Sequence, residues 1–129
     1  MNELKLIETQ KITRRIIGCA IEVHKVLGPG MLESAYEECL AFELKNAGFS
    51  IERQKPISIV YQEIKLDCGY RIDILVDNLV VIELKTVDAF APVHEAQILT
   101  YMKFAKKNLG LLINFNVVLL KTGIKRYVY

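Results

Sequence analysis

The apolar residues Ile12, Ile16, Cys19, Ala20, Val23 and Leu27 recur at helical spacing, and Lys11, Arg14, Arg15, Glu22 and Lys25 fall between them. The pattern predicts an amphipathic helix over 4–27, stopped by Gly28-Pro29-Gly30. A second helix is expected over 31–47, with Gly48 as its C-terminal stop. The chain therefore opens on a helical hairpin, about 4–47.

Beyond Gly48 the period changes. Ile57, Ile59 and Tyr61 alternate with Ser58 and Val60, followed by apolar runs over 64–68, 70–76 and 79–84, which read as three or four strands. Asp77-Asn78 is turn chemistry between two of these runs and makes them an antiparallel hairpin. A third helix is expected over 92–107, with Pro92 suited to its first turn. The segments 111–114 and 117–120 read as strands, and Thr122-Gly123 turns the chain toward a last strand over 124–129. The order α, α, β, β, β, α, β, β points to an α/β (α+β) fold, a mixed β-sheet flanked by helices. The sheet-and-helix core spans about 51–129 of a single domain, 1–129.

Composition agrees with one globular core. The chain has 129 residues, 52% hydrophobic and 25% charged, enough for one domain and too few for two ordinary ones. A net charge of +2 permits an anionic partner without announcing one. The clusters Lys103, Lys106, Lys107 and Lys121, Lys125, Arg126 either contact phosphates or, as short runs usually do, form solvated faces. Cys19, Cys39 and Cys68 lack the paired spacing of a zinc site and are expected to be reduced and mostly buried. No run approaches membrane-spanning length, so a cytoplasmic protein with no membrane partner is expected.

Two carboxylates and an ammonium break otherwise apolar strands: Asp73 within 70–76, and Glu83 and Lys85 within 80–86. Charges in such strands are costly unless they are paired or bind a metal. Glu83 and Lys85, two apart, share a face. Carboxylates converging from neighbouring strands supply the hard oxygens that Mg²⁺ prefers, with positions left for water and phosphate. The register raises a difficulty. A strict two-residue turn at Asp77-Asn78 would pair Asp73 with Ile82 and put Asp73 and Glu83 on opposite faces, so a bulge or an odd-length loop is required between them.

Asp73 followed by Glu83-Leu84-Lys85 on the next strand resembles the core of the PD-(D/E)XK nuclease superfamily, although Ile72, not proline, precedes Asp73. Gln97-Ile98-Leu99-Thr100-Tyr101 is similar to the Gln-x-x-x-Tyr element of the RecB-like branch. Gly30-x-x-Glu33-x-x-Tyr36, with His24, Leu27-Gly28-Pro29-Gly30 and Asn114-Phe115, resembles the signature of the GxxExxY family and carries the likeness over nearly the whole chain.

The resemblance implies a restriction-endonuclease-like core and a nuclease that cleaves nucleic-acid phosphodiesters, DNA in preference to RNA, with Mg²⁺ or Mn²⁺ as cofactor. Asp73, Glu83 and the Leu84 carbonyl would hold the metal, and Lys85 would handle the attacking water. The helical wheel places Glu33 on the inward stripe with Tyr36, Leu40 and Leu44; it either joins the metal shell or favours its helix N-terminus as a charge. Gln97 and Tyr101 either steady the site and contact substrate or belong to the core. His24 is either a further metal ligand or a structural histidine. Arg71 has a phosphate or a nearby carboxylate as its alternatives. The surface is small, so a homodimer or a partner protein is an expectation, and a non-catalytic binding or assembly module on the same fold is the rival reading.

Overall fold

The N-terminal apolar stripe folds as helix α1 (Glu3–Leu27) in the computed structural model, which describes residues 2–129. Asn2 caps it by accepting the Lys5 N–H at 2.8 Å, and it ends at Gly28, whose N–H donates to the His24 carbonyl. Helix α2 (Glu33–Asn46) begins two residues later than its apolar pattern suggests, because Leu32 is extended. The intervening loop is held from below by fully buried Tyr36. Its hydroxyl donates to the Gly28 carbonyl and accepts the Met31 N–H at 3.1 Å.

Seven strands follow: β1 (Ile51–Pro56), β2 (Ile59–Tyr61), β3 (Ile64–Leu66), β4 (Arg71–Val76), β5 (Val80–Lys85), then, after α3 (Pro92–Ala105), β6 (Leu109–Asn114) and β7 (Ile124–Val128). The main sheet has the order β1-β4-β5-β6-β7. Its only parallel pair among the described residues is β5 with β6, and α3 supplies the crossover such a pair needs. Taken through the main sheet, the elements run α, α, β, β, β, α, β, β, with the β2–β3 ribbon inserted after β1. The fold is the mixed-sheet α+β class expected from the sequence.

Three assignments differ from the hydropathy reading. β1 was not expected, because Glu52, Arg53 and Gln54 are exposed and an edge strand needs little apolar character. The alternating 57–61 segment supplies the ribbon, not the main sheet. The 117–120 segment is no strand: Val118 and Leu119 are 93% and 61% exposed, and the chain turns through a 3₁₀ helix (Leu120–Gly123) before β7.

The sheet separates two cores. On one face Ile74, Val76, Ile82, Leu84, Leu111 and Ile113 pack with Ile16, Ala20, Val23, Tyr36, Leu40 and Leu44 of α1 and α2. On the other, Ile72, Leu75, Val81 and Leu112 pack with Ile98, Tyr101 and Met102 of α3. Gly110 allows this close approach, since a Cβ there would lie 2.5 Å from Met102 Sδ. Of the three free cysteines only Cys19 is buried; Cys68 is exposed, against the expectation of mostly buried thiols. Among the described residues no helix is long and apolar enough to cross a membrane.

Candidate active site

The β4–β5 hairpin pairs Val76 with Val80, Leu75 with Val81 and Ile74 with Ile82, leaving a three-residue loop at 77–79. Asp77 and Asn78 adopt φ of 52° and 55°, the left-handed conformation these residue types tolerate. The odd loop length resolves the register difficulty: continuing the pairing sets Asp73 opposite Glu83. Backbone pairing stops at Ile74–Ile82, and side chains take over. The Asp73 N–H donates to Glu83 Oε2 at 2.8 Å, and the Leu84 N–H donates to Asp73 Oδ2 at 2.8 Å.

On its other side Asp73 faces Gln54 of β1, whose φ is 51° and which falls between the paired Arg53–Ile74 and Lys55–Ile72. The distortion shows in the packing of β4. Ile72 and Leu75 enter the α3 core, whereas Ile74 and Val76 enter the other, so face alternation switches at Asp73. Gln54 Nε2 donates to Glu37 Oε1 at 2.6 Å and reaches Asp73 Oδ1 at 3.4 Å. Glu37 is buried and paired with Arg53 at 3.0 Å, while Arg53 also reaches Glu38 at 2.8 Å. Gln54 and Arg53 escaped the sequence reading because a polar edge strand carries no periodic signal. Glu37 had a signal, an acid inside the apolar arc of α2.

From the other strand, Lys85 Nζ donates to Gln97 Oε1 at 2.8 Å, and Gln97 Nε2 donates to the Tyr101 hydroxyl at 3.0 Å. The four-residue spacing on α3 makes this relay. Burial governs the electrostatics. Glu83 is 3% exposed, and burial, then the charge of Asp73, pushes its carboxyl up to about 8. Asp73 is also raised, by burial first, against the Leu84 N–H, which lowers it.

A family model of the PD-(D/E)XK nuclease superfamily matches residues 10–127. The chain belongs to that superfamily. No curated protein matches it, and no solved structure does.

Of the residues that the PD-(D/E)XK likeness singled out, the fold brings Asp73, Glu83, Lys85, Gln97 and Tyr101 to one end of the β4–β5 hairpin, opposite the loop. Glu33 corrects an expectation. It is exposed in the first turn of α2. It still feels the site: partial burial and then Asp73 push its carboxyl up, and Lys85 opposes them.

His24 is buried beside Phe115, and its Nε2 lies 2.7 Å from the Val117 carbonyl, which ties α1 to the segment after β6 and not to the carboxylates. Arg71 is exposed and, among the described residues, has no side-chain partner, so the expected carboxylate pairing is not formed. The lysine cluster at 103–107 lies at the hairpin's far end, where Lys107 donates to Asn78 Oδ1 at 3.0 Å.

Asn114 and Phe115 support the end of β5. Buried Asn114 donates to the Val87 carbonyl at 2.8 Å and accepts the Val87 N–H at 3.2 Å. Phe115 stacks on Tyr36 with centroids 4.5 Å apart, and its N–H donates to the Lys85 carbonyl at 3.0 Å.

As a metal-binding set, these residues offer hard oxygens only. Each carboxylate gives one oxygen to a backbone N–H, leaving Glu83 Oε1 and Asp73 Oδ1, the latter reached only by the Gln54 amide at 3.4 Å. The N–H of Leu84 faces β4, and in an extended strand its carbonyl faces the same way. Among the described residues no three His, Cys, Asp or Glu side chains form a ready cage. Two carboxylates and a carbonyl suit an ion such as Mg²⁺, which keeps several waters, better than Zn²⁺.

Proposed function

We propose that this chain is a nuclease that hydrolyses phosphodiester bonds of nucleic acid, DNA in preference to RNA, using Mg²⁺ or Mn²⁺. The observation that carries the reading is the convergence of Asp73, Glu83 and Lys85 where β4 and β5 separate. Asp73, Glu83 and the Leu84 carbonyl would hold the cation, with Glu33 at its periphery. When bound, the cation lowers the pKa of water and offsets charge on the phosphate oxygens.

The chain's own residues supply positioning. The two backbone N–H bonds fix the carboxylates before any ligand arrives, which removes reorganisation from the reaction. Lys85, held by Gln97, directs its ammonium at the attacking water and the developing negative charge. Arg71 is free to take a substrate phosphate. His24 has no part in this proposal, because its ring nitrogen already bonds Val117.

Membership of the GxxExxY family within the RecB-like branch rests on Gly30, Glu33 and Tyr36 together with Gln97 and Tyr101. Tyr36 gives that motif a physical reason, since it holds the loop ahead of α2. A cytoplasmic setting fits three free cysteines, and a homodimer or partner protein would extend the grip on substrate.

The test is a cleavage screen over single-stranded DNA, duplex DNA and RNA with Mg²⁺ or Mn²⁺, run beside Lys85→Ala. The expected outcome is metal-dependent cleavage that the variant, folded by circular dichroism, loses by about 10²-fold or more. Equal cleavage by both proteins would remove Lys85 from the mechanism. Failure of Mn²⁺ to bind or stabilise the wild type would favour a non-catalytic binding or assembly module.

A further inference from the structure

Beside the candidate centre the molecule exposes an aromatic ring that the sequence pattern does not mark. Tyr70 is 41% exposed, and its ring meets that of Tyr101 edge-on, with centroids 6.4 Å apart and planes at 68°. Tyr101 is itself buried and bonded through Gln97 to Lys85. A continuous chain thus leads from the ammonium of Lys85 through Gln97 and Tyr101 to a solvent-facing ring.

The position of Tyr70 is set by its backbone. Gly69, with φ of 78°, turns the chain into β4, and the Tyr70 carbonyl accepts the Ile57 N–H at 3.0 Å. The next residue is Arg71, exposed and without a side-chain partner among the described residues. The β1–β4 register continues through Tyr70, so Tyr70 and Ile72 project toward α3 and Arg71, between them, projects from the opposite face; the exposed ring thus offers a base a stacking surface on the α3 side of the centre. A ring can stack only on a base that is not sandwiched within a duplex. The weak net charge of +2 argues the same way, because duplex binding without base contacts depends on many phosphate contacts.

We infer that Tyr70 forms a stacking platform that makes single-stranded or frayed nucleic acid the preferred substrate of this site. The inference deepens the nuclease reading and rests on it for the word substrate. Tyr70 stacks a base next to the bond to be cut, and Tyr101 braces the ring against the centre. The platform selects strand state, not sequence, since every base presents a π-face.

The experiment measures binding in EDTA, where no cleavage occurs, of a fluorescein-labelled single-stranded DNA oligonucleotide, an RNA of the same sequence and a hairpin duplex. A second oligonucleotide carries 2-aminopurine, whose emission falls on stacking. Wild type and Tyr70→Phe are expected to bind the single strands more tightly than the hairpin and to quench 2-aminopurine. Tyr70→Leu, which keeps apolar packing against Tyr101, is expected to bind single strands about 5- to 100-fold more weakly and to lose the quench. Thermal melts and circular dichroism of each variant keep a folding defect distinct from a platform defect. Hairpin binding equal to that of single strands, or Tyr70→Leu binding unchanged, overturns the platform. Those outcomes leave the nuclease reading standing if metal-dependent cleavage persists. Conversely, Tyr70-dependent quenching with no cleavage in either metal removes the nuclease reading and keeps the platform.

Discussion

The N–H of Asp73 points into the carboxylate of Glu83 at 2.8 Å, so the backbone of one candidate ligand orients the side chain of the other. Glu83→Gln keeps an acceptor for that N–H, whereas Glu83→Ala leaves the donor orphaned in a buried position. Glu83→Ala is expected to be less stable than Glu83→Gln by about 1–3 kcal/mol, and both to lose metal-dependent cleavage. Urea denaturation of the two variants checks the difference, and equal midpoints would show that the bond contributes nothing.

Glu83 also makes the metal-free protein pH-sensitive in an uncommon direction. Its folded-state value, about 8, lies above the ordinary 4.5, so between these values the native state holds a proton that the unfolded chain releases. The contribution is full below about 4.5, falls as pH rises, and is gone above about 8. Raised Asp73 adds to the same slope. In EDTA, stability is expected to fall by up to about 1.4 kcal/mol per pH unit per proton across this window, and Glu83→Gln to flatten the curve. Mg²⁺ is expected to stabilise more at pH 8 than at pH 6. A wild-type curve that rises with pH in EDTA would contradict this account.

The three-residue loop at 77–79 is a register device. Deleting Asn78 leaves a two-residue loop and moves the pairing of one strand by a residue, which sends Asp73 and Glu83 to opposite faces or forces a bulge. Cleavage is expected to drop to background, while Ala substitution at Asn78 retains it within a few-fold. Activity assays of the two folded variants decide the matter; full activity in the deletion would mean that the loop does not set the site.

Gln54 separates stability from positioning. Its left-handed φ of 51° costs a non-glycine residue on the order of 1 kcal/mol, and its amide touches both Glu37 and Asp73. Gln54→Gly relieves the conformation and is expected to be about 1 kcal/mol more stable than Gln54→Ala. Both variants lose the amide and should show kcat reduced about fivefold or more with KM little changed. Should kcat follow stability across the two, Gln54 would be a structural residue only.

Much of this layout was legible in the sequence where a period runs long enough. Helices α1, α2 and α3 stood out through stripes that the two cores bury. The Asp73–Glu83 register was legible as a contradiction: two acids on apolar strands demanded an odd loop, and the loop has three residues. What stayed hidden lacks any periodic trace. β1 is a polar edge strand, so Gln54 and Arg53 could not be placed beside Glu37 and Asp73 before the pairing was known. The 117–120 segment misled for the opposite reason, since its valines and leucines mimic a strand while Val118 and Leu119 face water. Glu33 shows a further limit: a helical wheel assigns a direction, yet in the first turn of α2 that direction leaves the side chain exposed.

The charges along β1 have a consequence beyond the site. An uncovered sheet border is a template on which another chain's strand can add, and Glu52, Arg53 and Lys55, closed by Pro56 without an N–H, make that addition costly. Lys125 and Arg126 do the same on the opposite border, β7. Rebuilding β1 with valines and isoleucines would strengthen its strand propensity and, by the same step, open the molecule to edge-to-edge aggregation.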